Sequence, residues 1–180
     1  MYAPRQFTRL ADIKAVTNSQ CFSLAATQIT DTELVHLKGM TNLQTLGLRG
    51  TPVTDAGLVH LKVLINLRTL NLYDTKVTDA GLMPLKGLTK LEALNLYGTQ
   101  ITDAGLVHLK GLTNLQHLYL TQITDAGLVH LKGLTQLKRL NLWSTKVSDA
   151  GLVHLKGLTG LQTLELSNTQ VTDAGIAELQ

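Results

Sequence analysis

One short segment is copied along almost the whole sequence. The ten residues Asp-Ala-Gly-Leu-Val-His-Leu-Lys-Gly-Leu occur at 103–112, 125–134 and 149–158, and near copies begin at Asp31 and Asp55. Counted from one copy to the next, the unit is 24 residues long, and a single unit at 102–123 has 22. Self-similarity at this period is typical of solenoids, in which each unit packs only on its neighbours.

Each unit has two halves with different periods. Leu94 and Leu96 alternate with other residues and predict a short strand. Leu82, Leu85 and Leu88 recur every three residues and predict a short α or 3₁₀ helix. Because one strand and one helix cannot bury both apolar edges alone, the copies must stack into a continuous core, which the 38 leucines of the chain would fill.

The strand half resembles the leucine-rich repeat consensus, as in Leu91-x-x-Leu94-x-Leu96-x-x-Thr99-x-Ile101. The Thr-Asp-Ala-Gly-Leu step that follows is similar to a branch found in some bacterial repeat proteins and in Cys-containing F-box adaptors. This resemblance implies an α/β solenoid, a curved right-handed arc with about seven parallel strands on its concave face and short helices on its convex face. It also implies that the concave face binds a macromolecular partner.

The repeats predict a single leucine-rich repeat domain over residues 1–180. Its parts are a degenerate N-terminal capping repeat at 6–29, six repeats at 30–171 and a C-terminal half repeat at 172–180. The capping repeat keeps Leu10, Ile13 and Val16 in register. No strand of the sequence covers the edge formed by Leu164 and Leu166, and an uncovered parallel edge can pair with another chain.

The columns of the helical half predict structural roles. Asp residues lie at the helix starts and Lys residues at the ends, which complements the helix dipole. One Asp per unit is too few for a calcium site. A histidine column is expected to form a row of exposed convex side chains: His36, His60, His108, His130 and His154. Neighbouring units lie at least ~4.8 Å apart, whereas the ligands of one metal must converge to ~2.1 Å from it, so we predict no metal site beyond weak, incidental binding of added metal to a histidine pair.

Two further columns concern the turns. Threonine takes the ninth consensus position, where we expect its hydroxyl to be buried and bonded to the backbone: Thr27, Thr51, Thr75, Thr99, Thr121, Thr145 and Thr169. Gly87 falls where a left-handed helix C-cap is expected, and Val63 replaces this glycine in an earlier unit. If that model holds, Val63 is strained and Val63→Gly stabilises the protein.

The residues between the strand leucines vary from unit to unit and, by alternation, face outward from the sheet. They hold most of the aromatic side chains of the chain, together with Arg and Asn, and Tyr, Trp and Arg are enriched at binding hot spots. The predicted partner-binding residues are Tyr73, Tyr97, Tyr119, Trp143, Arg49, Arg139, His117, Asn71, Asn95, Asn141 and Glu165. The alternative is that aromatics here only reflect strand propensity and stacking along the sheet.

These features predict a noncatalytic module that binds a protein or peptide. The alternatives are a structural module that self-associates through its C-terminal edge, and binding of carbohydrate or nucleic acid on the concave face, although a net charge of +3 does not favour nucleic acid. We find no nucleophile elbow, phosphate loop or cofactor motif, so we predict no enzymatic activity and no cofactor. No membrane-spanning segment is visible, and one cysteine without a signal peptide favours a cytoplasmic location.

Overall fold

The computed structural model describes residues 18–179, and within this range seven three-residue strands form one parallel sheet. The strands are β1 (Cys21–Ser23), β2 (Thr45–Gly47), β3 (Thr69–Asn71), β4 (Ala93–Asn95), β5 (His117–Tyr119), β6 (Arg139–Asn141) and β7 (Thr163–Glu165). Each strand pairs with the next one in sequence, in the order β1 to β7. The sheet is open, with short helices between its strands, which confirms the predicted solenoid. Residues 6–17 of the predicted cap, including Leu10, Ile13 and Val16, lie outside the described residues.

Short helices connect the strands, and most of their turns are 3₁₀. The α-helices are α1 (Asp55–Leu58), α2 (Asp125–Leu128), α3 (Asp149–Leu152) and α4 (Asp173–Leu179). The 3₁₀ helices are Glu33–Gly39, Val59–Val63, Asp79–Gly87, Gly105–Leu109, Val129–Leu131 and Val153–Leu155. None of the helices in the described part of the chain is long and apolar enough to cross a membrane.

One leucine-rich core runs through the stacked units. In β4 the central Leu94 is fully buried between the half-buried Ala93 and Asn95. The register places Leu94 directly between Leu70 and Leu118 of the neighbouring strands. Leucines therefore stack in columns, and each unit completes the core of the one before it.

The threonine column closes the turn that leaves each strand. Thr75 is buried, and its hydroxyl donates a 2.8 Å hydrogen bond to the backbone carbonyl of Leu72. The same bond is made by Thr27, Thr51, Thr99, Thr145 and Thr169. Because a buried hydroxyl without a partner would be costly, these bonds explain why threonine is tolerated in the core.

The left-handed backbone position is not where the sequence suggested. Gly87 does not have a positive φ, and it ends a 3₁₀ helix whose C-cap is Leu88 (φ −83°, ψ 57°). Val63 ends its helix in the same way, before Leu64 (φ −84°, ψ 55°). The prediction that Val63 is strained is therefore wrong, because the backbone at this point suits any residue. Positive φ instead occurs two residues after the last strand leucine in each described unit, at Ala26, Gly50, Asp74, Gly98, Gln122, Ser144 and Asn168.

The aspartates at the helix starts, from Asp31 to Asp149, also bind the next unit. The Asp55 carboxylate accepts the backbone N–H of Thr78 at 2.7 Å and its hydroxyl at 2.6 Å. We call this pair of bonds the inter-unit clamp. It recurs between Asp31 and Thr54, Asp79 and Thr102, Asp103 and Thr124, Asp125 and Ser148, and Asp149 and Thr172. The aspartate column thus ties neighbouring units together as well as standing at helix starts.

The 22-residue unit is shortened just after its strand. Thr121 precedes the left-handed residue Gln122, as Tyr97 precedes Gly98 in the unit before. By this criterion Thr121 takes the position of Tyr97, and the two missing residues come after Gln122. The assignment of Thr121 to the threonine column is therefore wrong. In agreement, the Thr121 hydroxyl makes no hydrogen bond to the carbonyl of Leu118 among the described residues, whereas the other threonines bond the carbonyl three residues before them.

The leucines of the last described unit are less well covered than their equivalents. Leu161, Leu164 and Leu166 are half-buried, whereas Leu137 and Leu140 of the preceding unit are fully buried. Together with α4 they line an open cavity of about 570 Å³. This end therefore presents an apolar surface within the described residues.

Candidate functional site

The sheet register brings the outward-facing residues into straight columns, and we call the surface that they form the sheet face. The first column is Cys21, Thr45, Thr69, Ala93, His117, Arg139 and Thr163. The second column is Ser23, Gly47, Asn71, Asn95, Tyr119, Asn141 and Glu165. A third column follows the strands and contains Ala25, Arg49, Tyr73, Tyr97, Thr121, Trp143 and Ser167. All eleven predicted partner-binding residues lie in these columns.

Four of these residues form a contiguous row in the third column. The guanidinium of Arg49 lies over the ring of Tyr73, with its carbon 4.7 Å from the ring centroid. The rings of Tyr73 and Tyr97 stack at 5.4 Å between centroids, and Tyr97 contacts Trp143 at the same centroid distance. We call Arg49, Tyr73, Tyr97 and Trp143 the aromatic row. Such cation–π and ring contacts hold large side chains in place, which lowers the entropy that a ligand must overcome on binding.

The contact between Tyr97 and Trp143 spans the short unit. These residues follow β4 and β6, which lie two strand spacings, or roughly 9.6 Å, apart. Their ring centroids nevertheless approach to 5.4 Å. The intervening residue is the small Thr121, so the larger rings can meet above it. The short unit therefore leaves the aromatic row unbroken.

Three asparagines of the second column are held in one orientation. The Oδ1 atoms of Asn71, Asn95 and Asn141 accept the backbone N–H of the residue two positions later, at 2.9, 3.0 and 2.9 Å. These acceptors bind Tyr73, Tyr97 and Trp143, so each asparagine also positions a ring of the aromatic row. The amide oxygen is used within the protein, which leaves the Nδ2 donors to face a ligand.

Glu165 occupies the same column in the last described strand. Its Oε1 accepts the backbone N–H of Ser167 at 2.9 Å, in place of the asparagine bond. Hydrogen bonds from the side chain and backbone of Ser167 lower the pKa of Glu165. This carboxylate is therefore charged at neutral pH and makes the β7 end of the sheet face acidic.

Two shallow cavities lie on the sheet face. One of about 280 Å³ is lined by His117, Tyr119, Asn71 and Asn95, and it lies where the small Ala93 leaves room. A second, of about 250 Å³, lies against the aromatic row between Asn95 and Asn141. Both are open to solvent and lined by side chains that the sequence predicted. The Nδ1 atom of His117 is buried without a hydrogen-bond partner among the described residues.

Exposure differs among the predicted residues. Arg49, Arg139 and Trp143 are exposed, Trp143 at 38% of its surface. The others are half-buried: Tyr73, Tyr97, Tyr119, His117, Asn71, Asn95, Asn141 and Glu165. Arg139 and Glu165 stand outside the aromatic row and make no ring contact with it among the described residues.

The histidine column differs from its prediction. Only His36 is exposed, while His60, His108, His130 and His154 are half-buried. Burial lowers the pKa of His108, as does the charge of Lys86, while Asp79 opposes the shift. Among residues 18–179, no group of three or more His, Cys, Asp or Glu side chains is placed to hold a metal ion.

Comparisons with known proteins agree with the stacked geometry. The family model described as leucine-rich repeats in two copies matches residues 65–108, and a further leucine-rich repeat model matches residues 158–179. Both matches support a leucine-rich repeat family for this chain. A search of curated proteins returns no match. The similarity to the branch that includes F-box adaptors stays a prediction.

Two solved internalins from Listeria monocytogenes have the same fold. For the internalin inlF the TM-score is 0.72 at 24% identity, over 98% of this chain and 56% of the internalin. For internalin C2 the TM-score is 0.69 at 29% identity, over 95% of this chain and 80% of the internalin. This chain thus spans little more than half the length of the first internalin.

Leucine-rich repeat proteins are generally protein-interaction modules rather than enzymes. This agrees with the prediction that the chain is not an enzyme. Sequence reasoning missed the role of Thr121, whose small side chain lies between Tyr97 and Trp143 and lets their rings meet. A signal was present, since the two missing residues could have been aligned after Gln122 rather than before it.

Proposed function

We propose that this leucine-rich repeat protein is a noncatalytic module that binds a protein or peptide on its sheet face. The supporting observation is the aromatic row, in which Arg49, Tyr73, Tyr97 and Trp143 touch in sequence beside two cavities. A row of prepositioned rings and a guanidinium offers a large contact area at low entropic cost. Strand propensity explains aromatics in strands, but it does not explain their place on the sheet face.

The test is a selection from a display library of natural protein fragments. Wild-type protein is compared with the double variant Tyr97→Ser/Trp143→Ser and with the convex variant Met83→Ser/Val153→Ser, after circular dichroism has shown that all are folded. Met83 and Val153 are exposed apolar side chains away from the sheet face, so they form a matched control. We expect the selected fragments to bind the wild type and the convex variant but not the double variant Tyr97→Ser/Trp143→Ser. Equal retention by all three proteins would contradict the proposal.

The apolar C-terminal end supports a second candidate, self-association of two copies. Leu161, Leu164 and Leu166 are half-buried there, and Ile176 is exposed at the rim of the 570 Å³ cavity. Apolar surface of this kind is buried favourably when it is covered. Sedimentation equilibrium should show a dimer that Ile176→Glu dissociates and the control Val153→Glu does not. A monomer at all concentrations would exclude this candidate.

A further inference from the structure

The second column offers hydrogen-bond donors in a regular series. Asn71, Asn95 and Asn141 each direct Oδ1 to a backbone N–H, and their Nδ2 atoms make no hydrogen bond within the described residues. Each Nδ2 carries two N–H groups, and the three side chains line the cavities of the sheet face. These groups lose hydrogen bonds to water when a ligand covers them, unless the ligand supplies acceptors. The column therefore favours a ligand rich in acceptors.

Charge on the sheet face favours the same kind of ligand. From β2 to β6, the three columns contain two cationic side chains, Arg49 and Arg139, and no carboxylate. Two acids adjoin these columns in sequence: Glu92, which is paired with Arg68, and the exposed Asp74, which follows Tyr73 outside the columns. Glu165 lies beyond, in β7. The central part of the sheet face is thus positive and rich in donors.

The dimensions fit a short extended chain. Arg49 follows β2 in the third column and Arg139 lies in β6 in the first column. They are separated by four strand spacings, roughly 19 Å, and by four residues along the strand direction, roughly 13 Å, which is about 23 Å along the diagonal. An extended peptide of about seven residues covers this distance at ~3.3 Å per residue. Nucleic acid carries a phosphate on every nucleotide, and two arginines across five strands would leave most of those charges unmatched.

We propose that the sheet face recognises an acidic peptide segment in extended conformation, lying across the strands from Arg49 to Arg139. Its carboxylates pair with the two arginines, and its carbonyl and carboxylate oxygens accept from Asn71, Asn95 and Asn141. One apolar side chain of the peptide packs on the Tyr97–Trp143 pair. This inference rests on the proposed function, because it names the ligand class of the same surface.

A selection from displayed random peptides tests the inference with three proteins: the wild type, the charge variant Arg49→Gln/Arg139→Gln, and the aromatic variant Tyr97→Ser/Trp143→Ser. We expect wild-type binders to be enriched in Asp and Glu. Binding of those peptides should fall at least about tenfold in the charge variant, as for loss of hydrogen bonds to charged groups. Trp143 is the only tryptophan, so its fluorescence reports binding of each synthesised peptide to the wild type and the charge variant. Calorimetry measures binding to the aromatic variant, which lacks this tryptophan.

Asn95→Asp is the sharpest single change. Aspartate keeps the acceptor for the backbone N–H of Tyr97 but replaces the Nδ2 donor by a charged acceptor, so an acidic peptide should bind at least about tenfold more weakly. Asn168→Asp is the matched control. It adds the same charge outside the columns, at a left-handed position where Asp74 already occurs in another unit. We expect it to change binding by less than about twofold, as for an exposed charge in water.

The outcomes separate this inference from the proposed function. Binders that depend on Tyr97 and Trp143 but carry neutral or basic residues would overturn the acidic-peptide inference and leave the proposed function intact. Binders retained equally by the aromatic variant would overturn both. If oligothymidylate quenches the fluorescence of Trp143 at lower concentrations than the selected peptides do, the inference is also overturned, in favour of nucleic acid.

Discussion

At the scale of single residues, the Asp-Ala-Gly signature is explained by the inter-unit clamp. The Asp79 carboxylate binds Thr102 of the next unit. Gly105 of that unit lies directly against the same carboxylate, so an added Cβ would overlap it. Each aspartate from Asp31 to Asp149 is therefore coupled to a glycine of the next unit, from Gly57 to Gly175, which explains why both recur along the array.

A double-mutant cycle tests this coupling. We expect Gly105→Ala to cost about 1–3 kcal/mol, as overpacking does, and to cost clearly less when Asp79→Ala has removed the carboxylate. Gly111→Ala is the control, because a Cβ there meets nothing within 4 Å and should be neutral or slightly stabilising. Urea unfolding of the four proteins of the cycle measures the coupling. If the effects of Gly105→Ala and Asp79→Ala on the free energy of unfolding simply add, the close contact between Gly105 and the Asp79 carboxylate is contradicted.

The lowered pKa of His108 predicts that the stability of the folded protein depends on pH near neutrality. Burial and the charge of Lys86 lower its folded-state pKa below the ordinary 6.5, so the unfolded chain takes up the proton first as pH falls. Stability is therefore unaffected well above pH 6.5 and decreases as pH falls through and below it. In thermal melts between pH 8 and pH 5, we expect His108→Gln to lose part of the decrease in Tm. A decrease of the same size in wild type and variant would show that His108 is not responsible.

At the scale of the elements, the 3₁₀ helices end without a left-handed cap. The turn at Leu64 and Leu88 has φ near −84° and −83°, so glycine has no conformational advantage just before it. Val63 is instead half-buried against the core. A valine at this position adds packing that the equivalent Gly87 lacks.

Val63→Gly should therefore destabilise the protein, by about 1–2 kcal/mol from lost apolar contact and added backbone freedom. Gly87→Ala is the converse change, and we expect a gain of about 0.5 kcal/mol because its Cβ would enter open space. Chemical denaturation with both variants measures the two effects. A higher melting temperature for Val63→Gly would restore the strained-cap model.

Sequence reasoning succeeded where a local period decides the structure. The alternation around Leu94 and Leu96 placed every predicted residue on the sheet face, because a strand has a period of two. It failed where the decisive contact lies in another unit. The bond from Thr78 to Asp55 joins residues 23 apart, and the contact of Tyr97 with Trp143 depends on how two strands lie around a third. Hydrophobic periodicity carries no information on such contacts.

At the scale of the whole molecule, the units form a linear array. Each described strand pairs only with its neighbours in sequence, so β4 is supported on both sides by further units. β7 is supported on one side within the described residues, and Leu164 and Leu166 are half-buried. In such arrays stability is a sum of unit and interface contributions, so the ends open more readily than the middle.

Hydrogen exchange should show this gradient. We expect the amides of β7 and α4 to exchange faster than those of β3 to β5, because fewer buried contacts are lost when the end opens. Mass spectrometry of exchanged, digested protein gives the rates by segment. Uniform protection from β3 to α4 would mean that the array unfolds as one cooperative block, or that another surface covers its end.

The inter-unit clamp has a consequence for how such a chain can lengthen. Each unit presents an aspartate carboxylate to the next unit and a threonine or serine hydroxyl with its backbone N–H to the unit before. Any copy can therefore pack on any other copy through the same two hydrogen bonds. The clamp between Asp103 and Thr124 forms across 21 residues, where the other units use 23, so it tolerates a deletion. In-frame duplication or loss of one unit in the gene would therefore yield a foldable protein at once, while the strand residues of the new copy remain free to diverge.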